Sequence, residues 1–170
     1  LPGSRMRHRI FRLLVAGALA WPAALLAQQT GVQLGGFRNA DPDAPVQITS
    51  SQLDLARGAG TALFTGDVLA IQGEMRLSAQ WVLVEYTLLP DGNIGNEIKT
   101  ITAKDKVLLV TPTEAAESDE AVYRPQTNEV LMTGNVLLTQ GPNTVAGDRM
   151  TVDLETGIGK VEGRVRTVLQ

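Results

Sequence analysis

Phe64-Thr65-Gly66-Asp67-Val68-Leu69-Ala70-Ile71-Gln72-Gly73 returns as Met132-Thr133-Gly134-Asn135-Val136-Leu137-Leu138-Thr139-Gln140-Gly141, with six of ten positions identical. The same phase is visible in Lys104-Asp105-Lys106-Val107-Leu108-Leu109-Val110 and in Val161-Glu162-Gly163-Arg164-Val165. Asp105, Gly134 and Gly163 stand 29 residues apart, and Gly66 precedes Asp105 by 39, the same interval with ten residues inserted. The insertion holds the turn-rich run Pro90-Asp91-Gly92-Asn93-Ile94-Gly95-Asn96. Such a period marks stacked supersecondary units, each able to bury its apolar face only against its neighbours. The chain reads as four degenerate copies of one β unit.

Between the copies the pattern is that of strands. Val46-Gln47-Ile48-Thr49-Ser50 alternates after Pro45, a residue suited to a sheet edge. Leu53 and Leu55 alternate with Gln52 and Asp54; Met75, Leu77, Ala79, Trp81 and Leu83 alternate with Arg76, Ser78 and Gln80. Met150, Val152 and Leu154 stand against Arg149, Thr151, Asp153 and Glu155, and Val161, Gly163 and Val165 against Glu162, Arg164 and Arg166. Thr111–Glu120, with Pro112 and four acidic residues, reads as a loop. No stretch after residue 27 keeps a helical period with a cap, so the expected fold class is all-β.

Gly66, Gly134 and Gly163 each lie between inward-facing apolar residues, where a missing Cβ permits a bulge or sharp bend. Bends stacked in phase would fold the sheet into a V or a flattened barrel, with Asp105 the position where a bend is least expected. The interior would be lined by Leu53, Leu55, Phe64, Val68, Leu77, Trp81, Tyr123, Met132, Val136, Leu138, Met150, Val152 and Val165. Such a lining is either a filled core or the wall of a groove that accepts an apolar ligand.

Composition removes several classes of chemistry. Residues 1–27 carry Arg5, Arg7, Arg9 and Arg12, then an apolar run from Leu13 to Leu26 ending at Ala27. This is the order of a secretory signal. Leu1–Ser4 read as vector-derived ahead of Met6, and Leu25 makes the cleavage site imperfect, so an uncleaved anchor stays open. Beyond residue 27 there are 11 Lys and Arg against 18 Asp and Glu, with no Cys and no His. An acidic chain lacks the basic footprint of nucleic-acid binding. Imidazole or thiolate zinc sites and a Ser-His-Asp triad are excluded by inventory. The acidic residues near Asp41 and Glu114 have no EF-hand spacing, and no cofactor motif is present. Residues 28–44, rich in Gly, Asn and Asp, read as a flexible linker, and 45–170 as the single domain.

Pro45–Ser50, the two Thr-Gly-[Asp/Asn]-Val copies, Gly147-Asp148-Arg149-Met150 and the closing Arg164-Val165-Arg166-Thr167-Val168-Leu169 together resemble the LptA-type family of periplasmic lipopolysaccharide-transport proteins with an OstA-like domain. The resemblance covers roughly residues 45–170 and rests on the order of the motifs. It implies an incomplete, open β-jelly roll whose apolar groove shelters lipid A acyl chains. It also implies units joined head to tail between an inner-membrane LptC-like protein and the N-terminal domain of an outer-membrane LptD-like protein. Val46 and Ile48 match the groove mouth, and Phe64, Val68, Met132 and Val136 match interior positions. Docking edges would be Val46, Gln47 and Ile48 at one end and Val161, Arg164, Val165, Arg166 and Val168 at the other, with the arginines keeping the last edge soluble. A membrane-anchored LptC-like relative, a polymerising β-solenoid without ligand and a periplasmic hydrolase are the alternatives.

Overall fold

The computed structural model describes residues 31–38 and 44–170. The expected signal over residues 1–27 and much of the expected linker lie outside the described residues. The elements are β1 (Val32–Gln33), α1 (Gly35–Arg38), β2 (Val46–Thr49), β3 (Gln52–Ala56), β4 (Thr61–Gln72), β5 (Met75–Leu88) and β6 (Ile94–Val110). They continue with β7 (Glu114–Arg124), β8 (Glu129–Gln140), β9 (Asn143–Asp153), β10 (Ile158–Glu162) and β11 (Arg166–Val168). All strands join one antiparallel sheet in the order β1-β10-β9-β8-β7-β6-β5-β4-β2, with β3 also on β4 and β11 also on β9. The two ends of this path do not pair with each other, so the sheet stays open.

The repeat turns the sheet back on itself. Pairing slips between Thr65 and Val68 in β4, between Lys104 and Val107 in β6, and between Thr133 and Val136 in β8. At each slip two consecutive residues have positive φ: Gly66 (79°) and Asp67 (45°), Asp105 (64°) and Lys106 (55°), Gly134 (80°) and Asn135 (47°). Gly163 (77°) and Arg164 (44°) form the fourth corner, between β10 and β11. Asp105, where a bend was least expected, thus bends like the others. Aspartate is among the side chains that tolerate this left-handed region.

Each corner divides its strand between two walls. The first wall contains β3 and the stretches 61–65, 81–88, 94–104, 120–124, 129–133, 149–153 and 158–162. The second contains β2, β11 and the stretches 68–72, 75–78, 107–110, 114–117, 136–140 and 143–147. Inward residues of both walls, among them Val84, Met132 and Met150 from the first and Val68, Val107 and Leu138 from the second, meet in one core. Polar pairs tie three corners: Gln80 Nε2 donates to Asp67 Oδ1 at 3.0 Å, Asn135 Nδ2 to Asp119 Oδ2 at 2.8 Å, and Arg164 Nη2 to Asp148 Oδ1 at 2.6 Å.

The corners treat alternate strands differently. In β4, β6 and β8 the inward residues either side of the corner are four apart, as with Phe64 and Val68 or Met132 and Val136, so the two-residue alternation survives. In β5 it does not: Ala79 and then Val82 and Val84 are buried, three apart across the bend. Trp81 and Leu83 therefore leave the inward face on which unbroken alternation had put them.

Two further expectations are corrected. Residues 114–124 form a strand and not a loop, with Ala116, Ser118 and Ala121 buried on its inner face. Small inward residues among carboxylates had hidden the alternation. Residues 31–38 do not behave as linker: Val32 and Gln33 pair with Gly159 and Ile158, and Leu34 and Phe37 are fully buried. Gly35 and Gly36 suggested a chain with little to pack, while the apolar pair at i and i+3 carried the packing.

A Cβ at Gly134 would combine a φ of +80° with a contact of 2.5 Å to Asp119 Oδ2. Gly134→Ala is expected to lower unfolding free energy by about 1–3 kcal/mol. Urea denaturation checks this, with Gly92→Ala, at similar φ but in open space, as the milder control.

Candidate functional site

Between the walls, toward the β2 end of the sheet, lies a cavity of about 320 Å³. The first wall lines it with Val82, Ile98, Ile101, Ala103, Ala121, Tyr123, Val130 and Leu154; the second with Val46, Ile48, Ala70, Ile71, Met75, Leu77 and Leu109. Gln72 and Asn96 are its polar members. Burial pushes the Tyr123 phenol above its ordinary pKa, so it faces the groove uncharged. Among the described residues no group of three or more His, Cys, Asp or Glu is placed to hold a metal. The site offers apolar surface and shape.

The residues singled out from sequence divide into four groups. Val46, Ile48, Leu77 and Tyr123 line the groove. Val68, Met132, Val136, Leu138, Met150 and Val152 are buried in the packed interior, and Phe64 lies partly buried against them. Leu53 and Leu55 are exposed on β3, outside the groove lining. Trp81 is on the outer face, in register with Lys104, whose ammonium sits 5.3 Å from the ring centroid. Ile98, Ile101, Ala103, Ala121 and Val130 were missed. Extending the alternation back from Val107 would have found Ala103 and Ile101, but Ile98 belongs to the inserted hairpin, where the repeat gave no guidance.

The residues expected at the docking edges stand on edge strands. Val46, Gln47 and Ile48 belong to β2, which among the described residues pairs only with β4. Val161 lies in β10, Arg166 and Val168 in β11, with Arg164 and Val165 at the corner between. A second cavity of about 280 Å³ opens at this end, lined by Val32, Leu138, Gln140, Asn143, Val145, Val161, Val165, Thr167 and Leu169.

Val32 of the N-terminal segment lines this second cavity, while Leu34 and Phe37 are fully buried and line neither. Leu34 N–H donates to Gly157 O at 2.6 Å, extending the β1–β10 ladder toward the interior. The turn of α1 then carries Phe37 into the core, and burying Leu34 and Phe37 contributes roughly 1.5–3 kcal/mol each. A buried carboxylate holds the segment on the second wall. Glu114 Oε2 accepts from Gly36 N–H at 2.9 Å, Thr111 Oγ1 at 2.8 Å and Thr113 Oγ1 at 2.6 Å. Gln140 Nε2 donates to Glu114 Oε1 at 3.2 Å and to Gln33 O at 3.0 Å. Burial pushes this carboxyl toward the neutral form, but the bonds from Thr113, Thr111, Gln140 and Gly36 outweigh it and hold the pKa below the ordinary 4.5.

An open antiparallel sheet, doubled at periodic left-handed corners around an apolar groove, has known counterparts. Residues 47–158 match the family described as LptA/(LptD N-terminal domain) LPS transport protein. The chain belongs to this family. An uncharacterised protein of Rhizobium meliloti (strain 1021) is 29% identical over 161 residues, 90% of this chain and 85% of that protein. The lipopolysaccharide export system protein LptA of Escherichia coli (strain K12) is 30% identical over 116 residues, 65% of this chain and 60% of LptA. The chain thus spans about three fifths of that LptA. Among solved structures, LptH from Pseudomonas aeruginosa superposes with a TM-score of 0.67 at 17% identity, covering 77% of this chain and 99% of LptH. LptH is described as the LptA-homologous periplasmic component of the lipopolysaccharide transport device, and at this identity the likeness establishes the fold.

Because the Glu114 pKa is depressed on folding, its contribution is present above about 4.5 and lost as pH falls through the folded value. Amide exchange at Leu34 and Gly36 is therefore expected to accelerate in acid. Glu114→Gln should accelerate it already at pH 7 and lower stability by about 1–3 kcal/mol, with a flatter acid profile.

Proposed function

We propose that this protein is a periplasmic lipopolysaccharide carrier that shelters lipid A acyl chains in the groove between its two walls. The observation that carries the reading is the open-mouthed apolar groove itself, lined from both walls by residues such as Leu77, Ile98 and Tyr123. Each methylene moved from water into such a groove contributes about 0.8 kcal/mol, so one acyl chain gains several such increments. No bond is made or broken, and binding requires no catalytic residue. Directed movement requires an energy source outside this chain, so the protein acts as a passive segment of a conduit.

Family membership supports the partners expected from sequence: an inner-membrane LptC-like protein at one end, an outer-membrane LptD-like N-terminal domain at the other, and copies of the chain joined head to tail. Among the described residues β2 pairs only with β4 and β11 only with β9, and such edges supply the chemistry for these joints, since an unpaired strand edge adds a neighbour through backbone hydrogen bonds. Among the described residues no helix is long and apolar enough to cross a membrane.

Photo-crosslinking in cells tests the reading. A photoreactive residue at Ile98, inside the groove, is expected to give a lipopolysaccharide adduct, and one at Trp81, on the outer face, none. Equal labelling at both positions, or protein adducts alone, would favour the polymerising scaffold. In the same assay Leu77→Asp should remove most of the Ile98 adduct while leaving the circular dichroism of the sheet unchanged.

A further inference from the structure

We infer that residues 31–38 are a displaceable plug that keeps the groove closed toward its C-terminal end until a neighbouring strand docks there. The inference rests on the carrier reading above. One short piece of chain performs two tasks. Val32 and Gln33 occupy the outer edge of β10 by pairing with Gly159 and Ile158. The next residues put Leu34 and Phe37 into the interior, fully buried.

Their position divides the apolar path. The larger cavity ends at Leu109 and Leu154, and the C-terminal one begins at Val32 and Leu138. Leu34, against Gly159 and bonded to Gly157 O at 2.6 Å, and Phe37 line neither cavity and fill interior space beside the packed core. On this inference the seated segment blocks passage of acyl chains from one cavity to the other.

The ladder is the short part of the attachment: two residue pairs hold β1, whereas β10 holds β9 through five. The rest is the bond of Leu34 to Gly157 O, that of Gly36 to Glu114, that of Gln140 to Gln33 O and the burial of Leu34 and Phe37, all of which release must also undo. A strand arriving along β10 would extend past Ile158 and Gly159 and needs the backbone groups that Val32 and Gln33 occupy. Peeling these away breaks the ladder that continues into Leu34, so docking withdraws the plug. Groove continuity is thereby coupled to the presence of the next unit, and an undocked carrier does not spill its lipid at that end.

A disulfide lock tests this directly. A Cβ at position 31 would lie 3.8 Å from that of Ile158, within disulfide span. The natural chain has no cysteine, so Gly31→Cys with Ile158→Cys introduces a single possible bridge. Purified donor chain is loaded with lipopolysaccharide and mixed with an empty acceptor copy carrying a photoreactive residue at Ile98. The expected result is loss of the acceptor adduct when the donor is oxidised and its return on reduction, with a photoreactive Ile98 on the donor labelled in both states. Transfer from the oxidised donor equal to that from the reduced one overturns the plug, as does a loaded, reduced donor that never transfers. A donor that binds no lipopolysaccharide in either state defeats the carrier reading and this inference with it. Independently, Leu34→Ala with Phe37→Ala leaves the β1 pairs but removes the plug, and transfer should then be faster than in the native chain. A slower rate would assign the segment to stability alone.

Discussion

Two consecutive left-handed residues, repeated once per unit, are the constraint on which the rest of this structure depends. A flat sheet of these long strands would expose its apolar face. Doubling it at Gly66-Asp67, Asp105-Lys106, Gly134-Asn135 and Gly163-Arg164 lets each strand pack one half against the other. Holding a non-glycine residue at positive φ costs on the order of 1 kcal/mol. The corner bonds of Asp67, Asn135 and Arg164 to the neighbouring strand offset part of that cost. The remainder is met by packing, because no unit has an apolar partner except the opposite wall and the units beside it.

The same corner explains what the sequence disclosed and what it did not. Four units, their phase and the all-β class were legible because a valine recurs at the same phase in each, two residues after a glycine in three units and after Asp105 in the other. The interior positions Val68, Met132, Val136, Met150 and Val152 followed, since the bulged strands preserve alternation and β9 could be read on one side of its bend. Trp81 was misplaced because β5 changes parity at the corner, and nothing in a single strand's composition announces that change. The packed N-terminal segment was illegible for another reason. Leu34 and Phe37 lie in a glycine-rich stretch, and their receptor is assembled from Thr111, Glu114, Gln140 and Gly157, residues up to about 120 positions away.

An apolar groove that stays open needs an account, since the hydrophobic effect favours closing it. Backbone hydrogen bonding within each wall resists collapse: apart from β2, β3 and the inserted hairpin around Ile98, the described strands of the groove region are paired on both sides, so neither wall bends inward there without breaking ladder bonds. The lining is also sparse in volume at its deeper positions, where Ala70, Ala103 and Ala121 face the space. Larger residues there would fill the cavity and lock the walls together, giving the packed interior seen around Met132, Val136 and Met150. The distribution of alanine against valine and methionine thus distinguishes the half of the interior that is left open from the half that is packed.

Among the described residues the C-terminal corner differs from the other three in having no strand outside it, β1 reaching only Ile158 and Gly159 of β10. Gly163 and Arg164 separate β10 from β11, and both halves pair inward with β9 alone over most of their length. The Arg164 side chain is 84% exposed, and exposed ion pairs contribute little to global stability. Its bond to Asp148 is better understood as local. Asp148 lies on β9 at the opposite side of the corner, its carboxyl held below the ordinary range first by the hydrogen bond from Arg164. Asp148 N–H also donates to Gly163 O at 2.9 Å. Backbone and side chain together fix the bend between β10 and β11. The last two strands are thereby held one in each wall, β10 in the first and β11 in the second, so the bend that doubles the sheet persists to its C-terminal end.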